Sequence, residues 1–127
     1  MVAVAALFVS LIAATSAPPG DQARLCFVRP EQNGYLNIVP VQVETVRDKR
    51  SLGGGETVCL DEAPGTYPIR LAWRWDARDP VSHSYQSAVT RVRLATGQIR
   101  RLSICPGPAT PSGAPRWLLT ASACPKT

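Results

Sequence analysis

The side chains with the most obvious chemical potential lie together in residues 76–87, DARDPVSHSYQS, which include the chain's only histidine. A serine hydrolase needs its serine, histidine and aspartate on separate elements, together with an oxyanion hole. Residues crowded into one loop rarely meet both demands, and the sequence has no Gly-x-Ser-x-Gly turn to present a nucleophile. We therefore expect no enzyme, and we interpret the stretch as a solvated loop. Its candidate contact residues are Trp75, Asp76, Asp79, His83 and Tyr85.

Four cysteines form the second chemically distinctive set: Cys26, Cys59, Cys105 and Cys124. Zinc sites usually bring two ligands close together in sequence, as in Cys-x-x-Cys. These cysteines are widely dispersed and there is one histidine, so we expect no metal and no cofactor. In an exported chain, four cysteines most simply form two disulfides.

The pairing of the cysteines stays open among three arrangements. Each cysteine is out of phase with its apolar neighbours, which predicts disulfides outside the core. Sequential oxidation favours Cys26–Cys59 with Cys105–Cys124. A hairpin closed directly after Cys105, however, would place Cys124 about eight residues, or ~26 Å, away. That exceeds the roughly 7 Å between Cα atoms that a disulfide spans, unless the tail folds back.

Three further patterns suggest chemistry less strongly. Asp61 and Glu62 are adjacent carboxylates, but adjacent strand residues point to opposite faces and cannot form an acid-base pair. The glycines at 53–55 lack the following Lys-Ser/Thr and helix of a phosphate-binding loop, so we expect a flexible turn. The three tryptophans could form a platform for sugar or peptide. Their inward spacing favours core packing, with Trp75 the best exception.

The N-terminal MVAVAALFVSLIAATSA carries no charge and is nearly all apolar or small. Small residues at 14 and 16 suit a signal-peptidase cut before Ala17, although no lysine or arginine precedes the apolar run. The rival interpretation is an uncleaved membrane anchor, but the run is shorter than the ~20 apolar residues needed to span a bilayer. We expect a signal peptide at 1–16, a linker at 17–23, one domain at 24–124, and a secreted or periplasmic protein. Any membrane contact would be through an uncleaved signal segment.

The chain is basic, with a net charge of +5 and a pI near 9.4. Such a surface could meet anionic lipid, polysaccharide or nucleic acid. The arginines, however, are scattered singly and form no block. We therefore interpret the charge as a consequence of overall composition, and we expect no nucleic acid partner.

Alternating apolar residues predict seven short strands and no helix after the signal segment. The clearest alternation runs from Tyr67 to Trp75, directly after the corner formed by Pro64 and Gly65. This placement of Tyr67 matches a tyrosine corner, whose hydroxyl bonds to backbone a few residues upstream. An ordinary core aromatic is the alternative. The predicted strands are 24–29, 35–46, 56–61, 67–75, 88–95, 98–105 and 116–122.

These features together resemble small secreted bacterial sandwich modules. The Arg29-Pro30 strand end, the valine-alternating strand and the Pro-Gly-x-Tyr-x-Ile corner are similar to immunoglobulin-like and prealbumin-like modules of the carboxypeptidase-regulatory and PEGA type. The resemblance implies an all-β, immunoglobulin-like or prealbumin-like antiparallel sandwich of about seven strands, in an envelope setting. It differs from true immunoglobulin domains at Ile69, where their second cysteine would stand.

The expected function is non-catalytic binding, or an accessory role in the cell envelope, with an unknown protein or envelope partner. Loops usually carry function on such scaffolds, so residues 76–87 and 106–115 are the candidate contact surfaces. The alternative is a secreted inhibitor or modulator of an extracellular enzyme that inserts one of these loops.

Overall fold

The computed structural model describes residues 20–32, 34–37, 39–75, 83–111 and 115–125. Over these residues the chain forms nine β-strands in two sheets and one short 3-10 helix. The expected all-β class is therefore confirmed. The predicted signal peptide, 1–16, and residues 17–19 of the predicted linker lie outside the described residues.

The strands are, in chain order, β1 (Ala23–Val28), β2 (Val41–Glu44), β3 (Lys49–Leu52), β4 (Thr57–Glu62), β5 (Gly65–Trp75), β6 (His83–Gln86), β7 (Thr90–Leu94), β8 (Ile99–Gly107) and β9 (Arg116–Thr120). The 3-10 helix, Gly34–Asn37, lies between β1 and β2.

Sheet A has the strand order β4-β1-β8-β9, and sheet B has the order β3-β2-β5-β6. The strand β7 also pairs with β5, beside residues 65–69, whereas β6 pairs beside residues 72–75. These two short strands thus follow one another along a single edge of β5. Neighbouring strands are antiparallel except β1 and β8, which are parallel. The expectation of a purely antiparallel sandwich is wrong at this pair.

The core lies between the sheets and is built from the alternating apolar residues. On β5, Ile69, Leu71 and Trp73 are buried, while Arg70 and Arg74 lie on the other face. The same alternation on β1 buries Leu25 and Phe27. The buried cluster comprises Ala23, Leu25, Phe27, Val39, Val41, Val43, Leu52, Leu60, Ile69, Leu71, Trp73, Val92, Leu94, Leu102, Ile104 and Trp117.

Two predicted boundaries between β1 and β4 are wrong. Residues 35–46 were expected to form one strand, but the structure has the 3-10 helix followed by the short β2. Asn37 explains the difference, because its side-chain oxygen accepts from the Gln32 amide at 3.0 Å and its carbonyl accepts from Gly54 at 3.1 Å. The predicted strand 35–46 also ends earlier than expected, because a turn begins at Thr45, whose hydroxyl accepts from the Asp48 amide. This earlier turn leaves Lys49–Leu52 free to form β3.

Two predicted loops contain strand. His83–Gln86, inside the expected loop 76–87, forms β6 because it pairs with the end of β5. Gly107 and Pro106, inside the expected irregular stretch 106–115, extend β8. Pro106 pairs with Trp117 of β9 but lies beyond Ser103, where pairing with β1 ends. A proline is tolerated there because its missing N–H faces no partner strand.

The corner between β4 and β5 contains the contact that defines a tyrosine corner. The Tyr67 hydroxyl donates to the carbonyl of Ala63, four residues upstream, at 2.5 Å. Gly65 has a φ of 155°, in the region that favours glycine. The corner therefore fixes the angle at which the chain leaves sheet A for sheet B.

A fully buried arginine closes one end of the sandwich. The Arg29 guanidinium donates to the carbonyls of Val39 and Leu52, each at 2.5 Å, and of Leu36 at 2.6 Å. It also lies over the ring of buried Trp117, 4.4 Å from the centroid. Burial lowers the pKa of Arg29 from its ordinary value, with the Glu56 carboxylate acting in the opposite direction. Arginine nevertheless stays protonated in proteins, so these contacts are those of a cation.

Both disulfides lie outside the core cluster. Cys26 and Cys59 are direct partners on β1 and β4, with Cα atoms 4.0 Å apart. Cys105 and Cys124 are joined with Cα atoms 5.4 Å apart. None of the four belongs to the buried apolar cluster, as their phase predicts. Cys26 and Cys105 are nevertheless buried, because neighbouring groups cover them on the outer face of sheet A.

The register argument against the second disulfide was wrong on two counts. The hairpin pairs Gly107 with Arg116, so it closes two residues later than we expected. The chain then bends at residues 121–122 and turns back, which brings the Cys124 sulfur to 3.7 Å from the carbonyl oxygen of Ile104. The folded-back tail thus makes the bond that a straight continuation of β9 could not reach.

Replacement of Arg29 by methionine tests the closed end. We expect R29M to lower the free energy of unfolding by about 3 kcal/mol, because three carbonyls, two buried and one partly buried, would each lose a donor at roughly 1 kcal/mol. Urea denaturation measures this. The exposed Arg101 gives the control R101M, which should change stability by less than about 0.5 kcal/mol. Equal effects in the two variants would contradict the structural role of Arg29.

Tryptic mapping tests the pairing, since each cysteine falls in its own peptide: 25–47, 51–70, 102–116 and 117–126. Without reduction, we expect peptide 25–47 linked to 51–70, and 102–116 linked to 117–126. A reduced and alkylated sample, as the control, should give four separate peptides. Cross-linking in any other combination, or four alkylated thiols before reduction, would refute the arrangement.

Candidate functional site

The loop residues singled out from the sequence are only partly brought together. Trp75 and His83 are backbone partners at the ends of β5 and β6. Tyr85 packs on Trp73, with ring centroids 6.2 Å apart and planes at 13°. Asp76 and Asp79 lie outside the described residues, as do 80–82 and 112–114. The use of these loops as a contact surface or as an inhibitory wedge therefore stays a prediction.

Two of the three tryptophans pack in the core. Trp117 is fully buried beneath Arg29, and Trp73 is 6 % exposed. The indole of Trp73 donates to the carbonyl of Pro115 at 3.0 Å, which ties β5 to the chain segment entering β9. An exposed aromatic platform built on these two residues is therefore excluded.

The outer face of sheet B gathers cations that are far apart in sequence. Its pairings place Thr66 beside Arg93, Pro68 beside Arg91, and Glu44 between Arg70 and Lys49. Partners in a pair point to the same side of a sheet, and so do residues two apart on one strand. Five cations and one carboxylate thus share this face: Lys49, Arg70, Arg74, Arg91, Arg93 and Glu44.

Most of this charge is uncompensated. Arg70 donates to the Glu44 carboxylate at 2.8 Å. The other ion pair found among the described residues, Arg24 with Asp61 at 2.8 Å, lies on sheet A. The hydrogen bond that Arg24 donates to the Asp61 carboxylate raises the pKa of Arg24, partly opposed by desolvation. On sheet B, Lys49, Arg74, Arg91 and Arg93 have no carboxylate partner within the described part of the chain. A face with four unpaired cations attracts anions.

Two adjacent hollows mark the basic face. The larger, about 400 Å³, is lined mostly by polar residues and crosses from β3 to β6. The smaller, about 240 Å³, combines apolar Val46, Pro68 and Val89 with Lys49 and Arg70. Both are lined by Glu44, so they adjoin at this residue. The larger hollow is lined by Pro40, Gln42, Glu44, Ser51, Ala72, Trp73, Arg74, Ser84, Tyr85 and Gln86.

The composition of this surface suits recognition. Amide and hydroxyl side chains donate and accept hydrogen bonds, and the small Ala72 leaves room above the middle of the sheet. Within the described ranges, no group of three His, Cys, Asp or Glu residues is placed to hold a metal ion. Nor does any helix there have the length and apolar character required to cross a bilayer. The surface can therefore hold an anionic, hydroxyl-rich group by hydrogen bonds and charge.

Comparison of the chain with protein-family models, curated proteins and solved structures finds no match to any of them. The assignment of a function therefore depends on the chemistry of the surface itself.

Sequence reasoning missed this face because it treated each arginine separately. Arg91 and Arg93 are two residues apart, and Arg70 and Arg74 are four apart. The sequence alone therefore predicts that each pair shares one face of its strand. What the sequence does not give is that β7 pairs with β5, which puts both sets on the same side. The interpretation of the charge as mere composition overlooked this pairing.

Proposed function

We propose that this chain is an exported, prealbumin-like β-sandwich that binds an anionic glycan of the cell envelope without catalysing a reaction. The observation that carries the proposal is the outer face of sheet B, which has four unpaired cations and a hollow of about 400 Å³ that Arg74 lines. The hollow extends over four neighbouring strands, β3, β2, β5 and β6, which suits an extended polymer. Its amides and hydroxyls suit the many hydroxyl groups of a sugar chain.

The strand order supports the prealbumin-like alternative of the fold. With β6 and β7 counted as one interrupted strand, each sheet has four strands, and the first strand is parallel to the second-last. In a constant-type immunoglobulin sandwich the sheets hold four and three strands, and the first strand pairs with the second. Here β1 instead pairs with β4 and β8.

The covalent framework supports export. Two disulfides join all four cysteines. Disulfides persist in oxidising compartments and are rare where thiols are kept reduced. The uncharged, apolar N-terminal stretch is consistent with the same route.

Removal of two cations from the basic face tests the binding proposal. We expect R74Q/R91Q to weaken binding to polygalacturonate by on the order of tenfold or more, at about 1 kcal/mol for each cation near an anionic surface. Binding should also decline as ionic strength rises, because exposed charges are screened. Isothermal titration at low salt measures both effects, with neutral dextran as the control polymer.

The matched control is R101Q/R116Q, which removes the same charge from exposed positions on the outer face of sheet A. It should bind polygalacturonate within about twofold of the unmodified protein. Equal weakening in the two double variants would mean that binding follows net charge alone. Binding to anionic vesicles without binding to polygalacturonate would replace the glycan with a lipid surface.

Export is tested by the mature N-terminus. When the full chain is produced in a secreting host, we expect Edman sequencing of the released protein to begin Ala17-Pro18-Pro19. A full-length chain retained in the membrane fraction would instead identify the N-terminal stretch as an anchor.

A further inference from the structure

A further cavity lies at the end of the sandwich near the tyrosine corner. It has a volume of about 220 Å³ and opens between the two sheets. Its walls are mainly Leu25, Leu60, Tyr67 and Val46, the last of which is 74 % exposed at the mouth. It shares no lining residue with the larger hollow on sheet B. This cavity is therefore separate from the larger hollow, although Thr45 and Val46 line both it and the smaller hollow.

One carboxylate faces this cavity without a partner. Glu62 is on the same face of β4 as Leu60, and only 8 % of the residue is exposed. Its neighbour Asp61 points to the opposite face and binds Arg24. No hydrogen bond or ion pair connects the Glu62 side chain to the rest of the described chain. A buried charge without a partner is costly, so such a group is usually paired or serves a ligand.

The other cavity groups define what Glu62 can receive. The Tyr67 ring forms one wall, and its hydroxyl is already bound to the Ala63 carbonyl. An aromatic face attracts a cation, and aliphatic walls accept an alkyl stem. Arg47 also lines the cavity, and its like charge opposes a cationic ligand. The volume is below the ~300–1,000 Å³ usual for drug-sized ligands, so the occupant is of side-chain size.

We propose that this end cavity binds a primary ammonium group on a short alkyl stem, with Glu62 as its counter-ion. The ammonium would donate to the Glu62 carboxylate, and the stem would lie between Leu60, Leu25 and the Tyr67 ring. The same chemistry is found in a small alkylamine and in a lysine side chain of a partner protein.

The test is a titration of ¹⁵N-labelled protein with butylammonium, followed by amide shifts of Glu62, Thr66 and Tyr67. We expect saturable shifts at these residues, and at least tenfold weaker binding by E62Q, which keeps the shape of the side chain and removes its charge. The control E31Q, at an exposed glutamate, should bind like the unmodified protein. R47Q should bind butylammonium severalfold more tightly.

Matched probes separate charge from apolar contact. Butanol has the same number of heavy atoms as butylammonium and should bind unmodified protein and E62Q equally weakly. Equal binding of butylammonium by E62Q and unmodified protein would overturn the proposal, as would tighter binding of butyrate than of butylammonium. Binding of Nα-acetyl-lysine N-methylamide would indicate a protein lysine as the occupant, and its exclusion would indicate a free amine.

A melting experiment distinguishes a binding role from a structural one. E62Q should melt at the same temperature as the unmodified protein or higher, because the Glu62 side chain makes no hydrogen bond or ion pair within the described chain that the substitution would remove. A clear fall in melting temperature, with lost amide dispersion, would show that Glu62 supports the fold and would overturn the proposal.

Discussion

The packing of this sandwich depends on a cation buried between its sheets. The Arg29 guanidinium reaches the 3-10 helix through Leu36, the chain before β2 through Val39, and the end of β3 through Leu52. Its backbone also takes part, since Arg29 N donates to the carbonyl of Glu56 and its own carbonyl accepts from Gly55. Arg29, the residue that directly follows β1, thus holds together three segments of the chain that would otherwise need separate hydrogen-bond partners. Trp117 extends this contact to β9, because its ring lies beneath the same guanidinium.

Each end of the sandwich contains one buried charged residue, and the two residues differ in whether they have hydrogen-bond partners. At one end, carbonyl oxygens and an aromatic ring surround the Arg29 guanidinium, and only its Nε lacks a partner among the described residues. At the other end, Glu62 is nearly as buried but has no donor in the described chain. Only the first of these charges is paired within the described part of the fold. This contrast separates a structural charge from one that is available to a ligand.

The fold class was predictable because apolar and polar residues alternate along any strand that has one buried face. Tyr67 to Trp75 shows this well, since its inward residues are the centre of the core. The pattern failed for β3 and β6, which are short edge strands with few apolar residues, so pairing alone defines them. It also failed at residues 35–46, where side-chain bonds of Asn37 stabilise a helical turn in a sequence of strand-like composition. Arg29 is in phase with Leu25 and Phe27, and this phase alone predicts an inward position. Its charge instead suggested the exposed end of a strand.

The candidate site was less predictable because it is a property of pairing between distant strands. Asp61 and Glu62 could be assigned to opposite faces from their adjacency, and the structure confirms that divergence. The phase of Leu60 predicts which of the two is buried. The cavity beside Glu62, however, depends on Thr45 and Val46 in the turn between β2 and β3. In the same way, Arg74 and Arg91 each look like an ordinary solvated strand position. Their charges act together only because β5 pairs with β2 on one side and with β7 on the other, which places the cations of these strands on one face. That face has too few carboxylates to neutralise them.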